Sequence, residues 1–213
     1  MKRALAILAL LALVLGHATG GEPELRRHFL SDSTKVGDWS VYELSLVFEP
    51  GDLAAVANAK RIFIEYRVKE AGEHCELATV SDPPHLREWE VWRVRRSSQK
   101  LRDLLRIPDE VALSETIESR DEDYVVADGT HFKGQHLAFR TTEGALVQQN
   151  DCWLALSPSE FHGLRLIAVH AKAVAGTPRP VTFDMELRGH GRAGKTEWGK
   201  TLKELVAERD GVK

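Results

Sequence analysis

The stretch Val181-Thr182-Phe183-Asp184-Met185-Glu186-Leu187-Arg188 decides the fold. Val181, Phe183, Met185 and Leu187 fall on one side and Thr182, Asp184, Glu186 and Arg188 on the other, a period of two that an extended strand turns into one apolar and one polar face. Working outward, the same period recurs from Trp39 to Phe48, where Tyr42, Leu44, Leu46 and Phe48 oppose Glu43 and Ser45. Arg61 to Lys69 repeats it, with Ile62, Ile64, Tyr66 and Val68 against Arg61, Glu65, Arg67 and Lys69; Phe63 is the exception. Across Ala71-Gly72-Glu73 a partner strand places Cys75, Leu77 and Thr79 together and ends at Pro83-Pro84. Trp89 to Arg95 reads as a further strand with Val91 and Val94 on opposite faces.

Between the alternating runs the signals change. Glu49-Pro50-Gly51-Asp52 breaks the first strand, and Leu53 to Asn58 is a short helix or an irregular connection. Leu101, Leu104 and Leu105 stand at helical spacing behind a cap at Ser97 or Ser98, and Pro108 closes that run and can open a second short helix. The acidic residues Glu118 to Asp123 read as a loop before a strand from Tyr124 to Ala127. Asp128-Gly129 is a short-turn signal, and Gln135 to Thr141 is the returning strand. Asp151 to Leu156 and Leu164 to Ala173 complete the strand candidates, and Gly176 to Pro180 leads into the opening stretch. Beyond Gly189-His190-Gly191 lies a charged tail, whose Leu202, Leu205 and Val206 fit a weakly docked helix over Thr201 to Arg209.

Strands with one apolar and one polar face belong to antiparallel sheets that keep one side wet, which disfavours a doubly wound parallel sheet. The expected fold is mainly β within the α+β class: a curved antiparallel sheet or unclosed β-barrel with one or two short helices and a C-terminal helical tail. The apolar side is to be covered by a second sheet, by curling, or by the helices near Leu101 to Leu113.

The N-terminus sets the compartment. Lys2 and Arg3 precede the apolar run Ala4 to Leu15, too short for the roughly 20 residues that span a bilayer. Small residues offer cleavage at Gly16-His17-Ala18 or Ala18-Thr19-Gly20. The expectation is an exported, periplasmic or extracellular protein with no transmembrane segment after cleavage. Its organisation is a signal peptide over 1–20, a lead-in over 21–35, one antiparallel β-rich domain over 36–191 and a charged tail over 192–213. Loss of Lys2 and Arg3 takes the formal charge from -3 to about -5, which argues against a nucleic-acid partner. The two cysteines, Cys75 and Cys152, read as a disulfide in an oxidising compartment, with two buried thiols as the alternative.

Val36-Gly37-Asp38-Trp39 with Tyr42, Gly129 with Phe132, Trp153 with Ser157-Pro158, Gly163-Leu164, and Met185-Glu186-Leu187 with Gly189 and Gly191 occur in an order that resembles a group of exported, uncharacterised bacterial proteins. The resemblance spans most of the chain after the signal. It implies an unclosed β-barrel similar to periplasmic lipoprotein carriers, in which a curved antiparallel sheet wraps helices and an apolar cavity. The chain departs from the group at Gly134, where a Cys is expected, and carries Cys152 beside Trp153 instead. Gly37 and Trp39 are also similar to the opening of lipocalins.

The function expected from this resemblance is non-catalytic binding of an apolar or lipid-like ligand, lined by Tyr42, Leu44, Leu46, Phe48, Ile62, Ile64, Tyr66, Phe183 and Met185. A structural or envelope-interaction protein without a small-molecule ligand is the alternative. A hydrolase stands behind both, because the nucleophile-elbow, zinc-protease and phosphate-loop patterns are missing. No cofactor, metal or catalytic residue is assigned: His74, His131, His136, His162 and His170 lack ligand spacing. Arg87, Arg93, Arg95, Arg96, Lys100, Arg102 and Arg106 concentrate positive charge around Trp89 and Trp92, with Glu88, Glu90 and Asp103 interspersed as on a solvated face.

Overall fold

A computed structural model describes residues 30–48, 61–82, 91–114, 118–156, 161, 163–176 and 181–212. The expected signal peptide, the connection over 53–58, Pro83-Pro84, Trp89, Ser157-Pro158 and His162 lie outside the described residues. Among the described residues, eleven strands form one antiparallel sheet that is not closed into a barrel. In chain order they are β1 (Trp39–Phe48), β2 (Ile62–Ala71), β3 (His74–Asp82), β4 (Val91–Arg95), β5 (Ala112–Leu113), β6 (Glu118–Val125), β7 (His131–Glu143), β8 (Leu146–Ala155), β9 (Leu166–Ala175), β10 (Val181–Arg192) and β11 (Lys195–Gly199). Helix α1 (Leu101–Leu105) follows β4, and α2 (Leu202–Arg209) ends the chain. No described helix is long and apolar enough to cross a membrane.

The spatial order is β4-β3-β2-β1-β10-β9-β8-β7-β5, with β6 on β7 and β11 on β10. Two meanders, β1 to β4 and β6 to β10, therefore meet where the opening stretch returns to β1. There Leu44 opposes Met185 on one face, while Glu43 opposes Glu186 and Ser45 opposes Asp184 on the other. The inner face carries Tyr42, Leu44, Ile64, Tyr66, Leu77, Trp92 and Leu187, all buried in one cluster with Leu101 and Leu104 of α1. Burying one such side chain contributes roughly 1.5 to 3 kcal/mol, so this cluster dominates the fold's stability.

Several expectations change. The acidic run Glu118 to Asp123 is strand, not loop: β6 pairs with β7 from Glu118↔Ala138 to Val125↔His131. Its side chains are mostly exposed on both faces, so no apolar alternation advertised it. Residues 109–110 form a turn rather than a helix start, because β5 takes the chain back onto Thr141 and Thr142. The N-cap of α1 is Lys100, without a side-chain cap; Ser98 instead hydrogen-bonds Asp103. The lead-in is anchored at its described end, where the buried Leu30 bridges Leu164 and Arg96 donates to the carbonyls of Asp32, Thr34 and Gly72.

The sheet continues past residue 191, since β10 runs to Arg192 and turns into β11. A side chain at Gly189 would fall 2.2 Å from the Lys200 carbonyl, and one at Gly191 would fall 2.9 Å from the Trp39 ring. Glycine at these positions is thus a condition of the close approach. The helix α2 is firmly placed rather than loosely docked. Thr201 accepts from the Glu204 amide and Glu204 accepts from the Thr201 amide, a capping box. Its Leu205 is buried with Trp39, Val41 and Phe63 on the outer face of β1 and β2, which explains why Phe63 breaks the apolar-polar alternation.

The expected disulfide is absent: Cys75 and Cys152 are free and buried. Cys75 lies in β3 and Cys152 in β8, with β2, β1, β10 and β9 between them. Neighbouring strands are about 4.8 Å apart and a bridge needs Cα atoms within about 7 Å. Both serve as small apolar residues of the inner cluster.

Candidate functional site

Of the residues expected to line a ligand site, Tyr42, Leu44, Ile62, Ile64, Tyr66, Phe183 and Met185 are brought to one face by strand register. Tyr42 opposes Ile64, and Leu44 has Ile62 on one side and Met185 on the other. Phe183 opposes Leu46, Phe48 opposes Val181, and Tyr66 opposes Ser40. The rings of Tyr42, Tyr66 and Trp92 form an edge-on ladder across β1, β2 and β4, with centroids 5.8 and 5.9 Å apart. The Tyr42 hydroxyl donates to the Leu166 carbonyl at 2.9 Å. Burial raises the Tyr42 phenol well above its ordinary pKa, with Tyr66 adding to the effect, and burial raises Tyr66 as well. Both therefore remain neutral, and the face is a surface for apolar contacts rather than for acid-base chemistry.

Helix α1 packs against this face and is weakly stabilised within itself. The helix has five residues and no side-chain N-cap, and it ends at Arg106 with φ 54°, a left-handed backbone that costs a non-glycine residue of order 1 kcal/mol. Leu101 and Leu104 hold it to the sheet, helped by Arg106, whose guanidinium lies 5.0 Å over the Trp92 ring. On the same face Thr79, opposite Tyr66, is buried with no partner for its hydroxyl among the described residues.

The outer face holds a second constellation that sequence reading missed. Register places Asp151 beside His170 and His170 beside Asp184, and it aligns Trp153, Ala168, Glu186 and Glu43 in the next row. Tyr124 reaches over to these rows from β6. Its hydroxyl lies 3.0 Å from His170 Nε2 and 3.2 Å from Glu186, and its ring meets Trp153 at 4.9 Å. His170 Nδ1 is 2.5 Å from Asp184, and His136 stacks on Trp153 with its two ring nitrogens facing Glu122 and Asp151. Glu186 also accepts from the Ala127 amide, so the network pins the turn after β6 to β10.

The order Asp184, His170, Tyr124 is that of an orienting carboxylate, a base and a hydroxyl. Burial and then the Glu186 carboxylate push the Tyr124 phenol upward, which keeps the proton on oxygen and makes it a donor to Glu186 rather than a nucleophile. At the row's end Glu43 receives Arg61 and Arg188, with Nη2 of each 2.7 Å from Oε2. Burial alone would raise this carboxyl, but the two guanidinium groups outweigh it and lower its pKa.

The other candidates take structural roles. His74 and His131 are exposed, and no group of three metal-ligating side chains is poised around a common point among the described residues. Of the basic concentration, Arg93 pairs with Glu76, Arg96 ties down the lead-in, Arg102 donates to the Pro108 carbonyl and Arg106 to that of Val91. The partners of Tyr124, His136 and His170 lie 14 to 62 residues away in sequence, so only the register could reveal them.

Fold and site together define a class: an unclosed antiparallel sheet with an apolar inner face under a short helix and a hydrogen-bonded polar outer face. Comparison with protein-family models, curated proteins and solved structures gives no match.

Proposed function

We propose that the protein is an exported, non-catalytic carrier that holds an apolar, lipid-like ligand between the inner face of its sheet and α1. The observation that supports this is the packing of Leu101 and Leu104 into the apolar cluster of the inner face from a single helical turn that lacks a side-chain cap and ends in an unfavourable backbone conformation. A small displacement of α1 uncovers Tyr66, Leu77 and Trp92, which then offer an elongated apolar surface. The orphan Thr79 hydroxyl supplies a polar contact on that surface. The likeness to lipoprotein carriers and the apolar N-terminal run after Lys2 and Arg3 agree with this reading.

The test is native mass spectrometry of the full chain isolated from cells that export it, with uptake of the neutral probe N-phenyl-1-naphthylamine. Co-extracted lipid, and probe emission sensitised by Trp92 and lost in Trp92→Phe, are expected. A folded protein that yields no lipid and takes up no probe would exclude the carrier reading and leave a sheet filled by its own side chains.

A further inference from the structure

Away from the inner face, β2, β3 and α2 flank an open groove of about 540 Å3, within the size range of small-molecule sites. It exists because Leu205 draws α2 onto Phe63 and Val41, leaving Leu202 and Val206 on its flank to face the outer side of β3. Ala78 and Val80 form the floor between them, and Val80 is 52% exposed, so the apolar strip is open to solvent.

The charges around this strip do not cancel. Arg67 is paired with Glu65 at 2.6 Å, and Asp82 is paired with Arg209 at 2.6 Å. Lys69 and Lys203 remain, both lining the groove, both exposed and neither in an ion pair among the described residues. The β2–β3 register sets Asp82 opposite Phe63 at one end of β2 and Lys69 near the other, so the Asp82–Arg209 pair closes one end and the surplus positive charge lies away from it. An apolar strip with two unpaired cations is complementary to a molecule with one apolar chain and an anionic head.

We propose that this groove binds a monomeric amphipathic anion of the single-chain fatty carboxylate class, with its chain on Ala78, Val80, Leu202 and Val206 and its carboxylate paired with Lys69 and Lys203. The site is separate from the inner face and does not depend on the carrier reading.

The experiment titrates the full chain with sodium dodecanoate below its micelle concentration, followed by calorimetry and methyl-resolved NMR. Expected are shifts at Val80, Leu202 and Val206, affinity for neutral dodecanol about tenfold weaker, and a similar loss in Lys69→Glu/Lys203→Glu, the size two exposed charge contacts give. Both lysines are exposed, and an unchanged melting curve verifies that the double variant is folded. Equal affinity for dodecanol, indifference to the double variant, or binding to anionic phospholipid vesicles without binding of dodecanoate would each overturn the proposal. Shifts at Leu77 and Leu104 in place of the groove methyls would overturn it while supporting the inner-face carrier. Failure of neutral-probe uptake removes the carrier and leaves this result standing.

Discussion

Tyr42 and Glu43 are neighbours in β1, yet they belong to regions built on different physics. Tyr42 is fully buried on the inner face, where aliphatic and aromatic side chains gain from leaving water and need little mutual geometry. Glu43 lies on the outer face, held by Arg61 and Arg188, and each contact there depends on distance and direction. The outer face is therefore more than the solvated side of a half-buried sheet. From Glu43 through Glu186 and Tyr124 to His170 and Asp184 it carries a connected network that fixes the β6–β7 hairpin to the sheet.

If the two faces differ in this way, removing one residue from each should break them differently. Tyr42→Ala opens a cavity and removes the hydrogen bond to the Leu166 carbonyl, and we expect a loss of about 3 to 5 kcal/mol in denaturant unfolding with little dependence on pH. Glu43→Ala removes the carboxylate shared by Arg61 and Arg188, leaving Arg188 its Glu186 partner, and should cost about 2 kcal/mol, with a distinct pH signature. The Glu43 carboxyl titrates lower in the folded chain than in the unfolded one. Its contribution is thus complete above the ordinary glutamate range and is lost as pH falls through that range toward the folded value. Glu43→Gln should flatten this part of the stability curve, and an unchanged acid limb would show that the clamp contributes nothing.

The inner face was the legible one. A period of two in β1, β2 and β10 identified Tyr42, Leu44, Ile64, Phe183 and Met185 without knowledge of any pairing, because burial of a face is written in each strand separately. The outer network could not be read that way. The meeting of His170 with Asp184 and with Tyr124 is a property of register between β9 and β10 and of the path of β6, whose acidic sequence resembles a loop. The disulfide failed for the same reason: compartment and cysteine count say nothing about how many strands separate two positions. Local signals did find Leu202, Leu205 and Val206 in α2, but its docking surface required Phe63, an apparent irregularity in β2.

The hairpin attachment can be sharpened by a double-mutant cycle. Tyr124→Phe and His170→Ala should show a coupling energy of about 0.5 to 1 kcal/mol, since each removes the same hydrogen bond. Amide exchange at Ala127 should rise in Tyr124→Phe, because Glu186 holds both groups, while amides of β1 remain protected. Additive effects would mean that the two side chains are merely near each other.

The smallest expected effect concerns the cysteines, and it tests the strand order on which both faces depend. Cys75 and Cys152 are buried thiols far apart across the sheet, so reductant should leave the melting temperature unchanged, and denatured protein should titrate as two free thiols. Burial and then the nearby Asp151 carboxylate raise the Cys152 thiol, which suppresses the reactive thiolate in the folded state. Native protein should consequently resist thiol reagents until the inner face opens. Modification of Cys75 or Cys152 that runs faster than global unfolding would then measure release of α1, which packs on that face and whose own backbone does little to hold it in place.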